Sequence, residues 1–287
     1  MTKDILFDIQ AQMPTFSKGQ KLIANFILKS YDKAAFMTAS KLGHTVNVSE
    51  STVVRFAAEL GYDGYPAMQK ALQEMIRNKL TAVQRMEVSN DRIGNREILP
   101  MVMNADAENI RATLEGVDRS SFDKAVEAIL SARKVYILGV RSAFALSNFL
   151  GFYFNMMLDD VAVAHTNSSS ELFEQILRIG EGDVMIGISF PRYSKRTVKA
   201  MDYAKSRGAT VLAITDSKAS PLAEIADHAL LAKSDMASFV DSLVAPLSLV
   251  NALIVAVSRK KSEELSTTFS ALERIWDEYG VYEKSND

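Results

Sequence analysis

Nine consecutive residues, Ser189-Phe190-Pro191-Arg192-Tyr193-Ser194-Lys195-Arg196-Thr197, gather three aliphatic hydroxyls and three cations. Hydroxyls and the free N–H groups at a helix start cradle phosphate, and a guanidinium can clamp phosphate or carboxylate through two parallel hydrogen bonds. A second stretch, Gly139-Val140-Arg141-Ser142-Ala143, has the same character: a small residue, then a cation and a hydroxyl just before a helical run. Within them, Gly139, Arg141, Ser142, Ser189, Arg192, Ser194 and Thr197 are the candidate ligand-binding residues. The alternative is that Ser194 is only a helix cap and that Lys195 and Arg196 form a solvated first turn. Two such loops at successive crossovers of one sheet favour a ligand site.

A third cluster lies near the other end of the chain. The segment Thr38-Ala-Ser-Lys-Leu-Gly-His-Thr-Val-Asn-Val-Ser-Glu-Ser-Thr-Val-Val-Arg-Phe56 fits two short helices joined by a tight turn at Val46-Asn47-Val48. Ser49 can cap the second helix by accepting from the backbone N–H of Ser51 or Thr52. Leu42, Val48, Val53, Val54 and Phe56 supply apolar contacts that fix the crossing. Ser49, Glu50, Ser51, Thr52 and Arg55 then stand at the exposed start of a helix that, in a helix-turn-helix, enters the major groove. Hydroxyls there suit phosphates or base edges, and Arg55 suits a guanine edge or a phosphate. Arg55 packed or paired internally is the competing reading.

The elements that carry these residues fall into two blocks. Residues 1–80 read as helices only: Leu22, Ile23, Phe26 and Ile27 recur at helical spacing after Ser17, Gly61 ends the 49–60 helix, and Pro66 sits in the first turn of another, giving about five helices. Residues 81–97 are polar without sustained periodicity and read as a linker. Helices are expected at about 98–116 and 120–132. From residue 134 the runs KVYILG, VAVAH, DVMIGIS, TVLAIT and HALLA alternate with helical patterns, the signature of a parallel sheet covered on both faces. Residues 239–258 read as an almost wholly apolar helix, suited to a core or a subunit interface. An amphipathic helix is expected at about 262–279. The fold class is thus α plus α/β: an all-helical bundle at 1–80 and, within 98–287, a doubly wound, parallel, five-stranded sheet of flavodoxin-type order.

The string SESTVVRFAAELGYDGYPAMQK closely resembles the N-terminal domain of the RpiR family of bacterial transcriptional regulators. About residues 120–258 resemble the SIS (sugar isomerase) domain that serves as the effector module of such regulators, in the succession of elements and in Thr215-Asp216-Ser217 with Ser220-Pro221-Leu222-Ala223. The first resemblance implies sequence-specific DNA binding with the 49–60 helix as reader, and the second implies phosphorylated sugars as ligands. The usual SIS loops are G-x-G-x-S and S-x-S-G-x-T. Here Arg141 takes the place of the second glycine, Ala143 the place of the serine, and Pro191-Arg192 the place of Ser-Gly. Small residues are lost and guanidinium groups gained, which points to a ligand with more, or differently placed, negative charge, such as a sugar acid or phosphorylated acid.

Composition bounds the rest. The chain has 287 residues, 48% hydrophobic and 24% charged, with no cysteine and three scattered histidines. That excludes disulfides, thiolate zinc and cysteine nucleophiles and gives no metal site; Asp159-Asp160 reads as a turn. GVRSA is no G-x-G-x-x-G fingerprint, so no nicotinamide or other cofactor is expected. The net charge of −2 hides an asymmetry: residues 1–80 hold 10 Lys+Arg against 7 Asp+Glu, the remainder 23 against 28. No signal-peptide core and no membrane span are seen, so a cytoplasmic protein is expected. The leading reading is a non-enzymatic, ligand-responsive regulator. Its expected partners are double-stranded operator DNA and an anionic, sugar-derived effector, and it should form a homodimer or homotetramer. A sugar-phosphate isomerase with an appended helical domain is the alternative. Enediol chemistry needs a base at the carbonyl-adjacent carbon, and His165, Glu171 and His228 are the available types without a base–orienter pattern. A non-enzymatic scaffold assembled through the apolar helix is a third reading.

Overall fold

The computed structural model describes residues 5–76, 80–166, 168–236 and 239–282. The chain divides into two compact units, Met1–Met103 with Met236–Asp241, and Asn104–Asp235 with Ser242–Asp287. Helix α8 (Ile98–Gly116) carries the chain from one to the other.

The first unit holds α1 (Ile5–Gln12), α2 (Lys18–Lys29), the one-turn α3 (Tyr31–Ala34), α4 (Ala39–Thr45), α5 (Glu50–Glu59), α6 (Gly64–Ile76) and α7 (Ala82–Ile93). Each core-facing helix buries one stripe: Ile5 and Ile9 of α1, Ile23 and Ile27 of α2, Leu42 of α4, Val53, Phe56 and Ala57 of α5, and Met68 and Leu72 of α6. Phe16 meets Phe56 edge to face at 5.1 Å between ring centroids. Ser17 caps α2 in a reciprocal box with Gln20, satisfying two N–H groups that a helix start otherwise leaves open. Tyr65 donates to the Met37 carbonyl at 2.7 Å, and burial pushes its phenol up to about 12.

Two expectations are corrected here. Residues 81–97 are not a featureless linker: α7 occupies most of them, with Thr81 and Gln84 forming its capping box. Its polar sequence conceals buried anchors. Arg85 is 3% exposed and pairs with Asp241 at 3.1 Å, and Ser89 donates to the Arg85 carbonyl at 2.7 Å. Val54, expected in the packing of the helix-turn-helix, is instead 41% exposed. It directly follows Val53, and a step of about 100° around the helix turns it outward while the Val53 side chain takes the inward direction.

The second unit is an open sheet of five parallel strands in the order β2-β1-β3-β4-β5: β1 (Lys134–Gly139), β2 (Val161–Ala164), β3 (Asp183–Ile188), β4 (Thr210–Thr215) and β5 (His228–Leu231). Alternation along β1 sends Val135 and Ile137 into one layer and Tyr136 and Leu138 into the other. The first layer is closed by α9 (Arg119–Ser131), α10 (Ala143–Met157), α14 (Val244–Lys260) and α15 (Ser262–Glu278). The second is closed by α11 (Ser169–Gln175), α12 (Lys195–Ser206) and α13 (Pro221–Ile225). The apolar run at 239–258 is helical only from Val244. Phe239 and Val240 precede the helix and are 54% and 56% exposed. Among the described residues no helix is long and apolar enough to cross a membrane.

Gly139 ends β1 where α10 begins. A Cβ there would lie 2.5 Å from the Ala143 carbonyl oxygen, which is backbone and cannot swing aside. Gly139→Ala is therefore expected to shift the first turn of α10 and to destabilise the domain by about 1–3 kcal/mol, as overpacking does. A denaturant melt that leaves the midpoint unchanged would show that the strand end yields without cost.

Candidate functional site

The helix-turn-helix closes on a glycine. Gly43 accepts the Val48 N–H at 2.8 Å across the turn, and a Cβ on Gly43 would stand 2.8 Å from the Val48 carbonyl oxygen. Asn47 supplies the left-handed residue, φ 57°, a conformation that Asn tolerates better than most side chains. Thr38 caps α4 through the Lys41 N–H at 3.1 Å. Ser49 caps α5 through the Thr52 N–H at 3.3 Å, and its hydroxyl also lies 2.8 Å from those of Ser51 and Thr52. Glu50, Ser51 and Arg55 are exposed and Thr52 half-buried. Arg55 is not packed inward: its Nε donates to the Ser51 carbonyl at 3.4 Å, which holds the side chain along the outer face. The Gln20 amide donates to the Glu59 carboxylate and so ties α2 to α5. Between these helices lies a recess of ≈ 480 Å³ lined by Ser17, Gly19, Gln20, Thr52, Arg55 and Glu59.

In the second unit β1 and β3 are neighbours, but the chain leaves them in opposite directions across the sheet. From β1 it passes through α10 to β2, and from β3 through α12 to β4. This is the point in an open parallel sheet where a crevice forms beyond the strand ends. Both arginine loops follow these two strands. Arg141 has φ 58° and Arg192 φ 61°. With Asn47 they are the non-glycine residues of positive φ among those described. Each arginine therefore holds the backbone shape of a glycine, and both residues are exposed. For a side chain other than Gly, Asn or Asp that shape costs roughly 1–2 kcal/mol.

The second loop is braced from within. Ser189, 5% exposed, accepts the Ser194 N–H at 3.0 Å on its hydroxyl. Ser194 accepts the Thr197 N–H at 3.3 Å and so caps α12. Thr197 is fully buried, and its hydroxyl has no hydrogen-bond partner among the described residues. Sequence reasoning missed one brace: Tyr193 donates to Asp216 at 2.8 Å and so fastens the loop to the residue after β4. In the first loop, Ser142 occupies the cap position of α10 without a side-chain cap bond.

The flanking polar stretch serves mainly local ends. His165 stacks on Phe144 of α10 with centroids 4.1 Å apart, and its backbone N–H and carbonyl are both taken by the Gln175 amide. Thr166 donates to Glu171, and Ser168 caps α11; Asn167 lies outside the described residues. Ser220 caps α13 through the Ala223 N–H at 3.1 Å. Among the described residues no group of three or more His, Asp or Glu could hold a metal ion.

Comparison with known proteins matches both halves. Residues 3–79 fit the helix-turn-helix domain of the rpiR family, and residues 128–256 fit the SIS domain. The sugar isomerase domain of an RpiR transcription factor from Sphaerobacter thermophilus is 32% identical, with a TM-score of 0.59, over 62% of this chain and 99% of that one. The HTH-type transcriptional regulator HexR of Escherichia coli K12 is 27% identical over 79% of this chain and 77% of HexR. The Vibrio vulnificus NanR protein, solved in complex with ManNAc-6P, is similar in fold, with 20% identity and a TM-score of 0.59 over 96% of this chain and 99% of that one.

Proposed function

We propose a function from one premise: this chain belongs to the RpiR family of helix-turn-helix transcriptional regulators and carries a SIS domain. It is a DNA-binding regulator rather than an enzyme. Its reader is α5, entering the major groove by its capped start, with Ser49, Glu50, Ser51, Thr52 and Arg55 at the DNA. Its effector is an anionic, sugar-derived metabolite, bound beyond the ends of β1 and β3 by Gly139, Arg141, Ser142, Ser189, Arg192, Ser194 and Thr197. One observation carries the effector reading. Both glycine-shaped positions flanking the crevice hold arginine at positive φ, and such strain persists where the side chain is needed. Two guanidinium groups suit a sugar acid or a phosphorylated acid better than a singly phosphorylated neutral sugar. The phosphosugar bound by NanR supports the broader class.

The protein acts in the cytoplasm, and effector binding changes operator affinity by favouring one arrangement over another. The test is a mobility shift on the DNA upstream of its own operon. Binding should weaken steeply with salt. A panel of sugar phosphates and sugar acids at constant salt should then contain a compound that both raises the melting temperature and alters the shift. Binding insensitive to salt and to the whole panel would overturn the reading.

Assembly follows from the reader. One helix-turn-helix covers too few base pairs for genomic specificity, and a dimer meets two half-sites about one turn of DNA apart. Exposed Val244, Leu247 and Val255 on α14, with Phe152 and Tyr153 on α10, offer apolar surface for self-association. At least a dimer is expected by light scattering at micromolar concentration, and Val255→Asp is expected to shift it towards monomer. A wild-type monomer in the presence of DNA would reject this assembly.

A further inference from the structure

We propose that Val54 and Ala58 read thymine methyl groups in the operator, an apolar element of recognition beside the polar one; this rests on α5 being the DNA reader. Val54 is 41% exposed and Ala58 is also exposed, while Val53, Phe56 and Ala57 are each fully buried. The inward stripe of α5 is thus complete without Val54. Helix propensity does not explain it either, since a β-branched residue on an outer helical face costs side-chain freedom. An isolated exposed valine is ordinary on a protein surface. Its placement is what distinguishes this one. Ser51, Val54, Arg55 and Ala58 are all exposed and stand at positions i, i+3, i+4 and i+7, so they form one stripe.

That stripe leads away from the Ser49 cap, and Val54 follows the cap by about 7.5 Å along the helix axis. Arg55, held outward by its bond to the Ser51 carbonyl, takes the hydrogen-bonding edge of one base pair. The apolar group that the major groove displays is the C5 methyl of thymine. A valine beside the arginine presents two methyls to it. One turn further, the single methyl of Ala58 lets the helix lie close and meets a second thymine. The operator half-site should therefore place a thymine next to the pair read by Arg55.

The test uses the full-length protein and a duplex that it selects from a random-sequence library. Each thymine is replaced singly by deoxyuridine, which removes the methyl and keeps every hydrogen-bonding group. Wild type should lose about fourfold in affinity at each of two thymines per half-site, one facing Val54 and one facing Ala58, the worth of one methyl withdrawn from water. Val54→Ala should bind the thymine duplex more weakly by a similar factor and should no longer distinguish uracil at the position facing Val54. Arg55→Ala should keep the uracil penalty. A selected duplex bound alike with thymine and uracil at every position would overturn this inference alone. So would a Val54→Ala protein that loses affinity equally for both duplexes, since the valine would then touch sugar or phosphate. Recovery of no preferred duplex would overturn the inference together with the DNA reading beneath it.

Discussion

Arg192→Gly is expected to make the protein more stable and nearly blind to its effector. The wild-type residue sits at φ 61°, where glycine is at ease and arginine is strained. Removing the side chain releases roughly 1–2 kcal/mol of steric cost. Part of this is offset, because glycine gains about 0.5–1 kcal/mol of freedom in the unfolded chain. A small net rise in melting temperature should remain. The effector loses a charge-assisted hydrogen bond, worth about 1.5–3 kcal/mol, or roughly ten- to a hundredfold in affinity. Arg192→Ala should weaken effector binding as strongly without the gain in stability. Ser189→Ala should do so mildly, about 0.5–1.5 kcal/mol for one neutral hydrogen bond. In each variant, operator affinity without effector should stay near wild type. Calorimetric titration with the effector, paired with thermal melts, separates the two effects. An Arg192→Gly protein that binds effector like wild type would remove the second loop from the site.

The second large effect is expected at Arg55. If it grips a guanine edge, Arg55→Ala should cost about 1–3 kcal/mol and relax preference at one base pair. If it meets only phosphate, affinity should fall evenly across sequences and the salt dependence should become shallower by about one counterion. The variant should fold normally, because Arg55 is exposed and its side chain bonds to the carbonyl one turn behind it. Binding measured on a set of single-base operator variants distinguishes the two outcomes. Unchanged affinity for the whole set would take Arg55 off the DNA.

Much of this architecture was legible in the residues because the controlling interactions are local. Ser17 and Ser49 announce their helices through caps that depend on three following residues. The strands announce themselves through unbroken apolar runs between helical patterns. The errors fall where distant partners decide. Helix α7 exposes its apolar Val83 and Met86, and what holds it includes a buried guanidinium whose carboxylate partner lies 156 residues away. Phe239 and Val240 extend an apolar run that the helix itself does not use. Val54 follows a buried valine, and helical spacing alone did not settle which of the two faces inward. At the two arginine loops, matching to the usual pattern located the glycine positions. It gave no indication that arginines there would keep a glycine's backbone shape, which depends on the turn geometry around them. The Tyr193–Asp216 tie was hidden for the same reason, since it joins two separate loops.

The pairing of Arg85 with Asp241 also bears on how the protein is made. Except for Met236, the residues of the helical core lie before residue 81, so that core can condense while most of the chain is still on the ribosome. Residues 236–241 of the same unit emerge far later. Until then Asp241, which pairs with the buried guanidinium of Arg85 on α7, has not been made. A nascent chain thus passes through a stage in which the reading helix is already formed and the segment joining it to the sensor is not yet secured. A premature stop before codon 236 would release a product frozen at that stage, holding the helical core but lacking α14 and α15 that close the sheet.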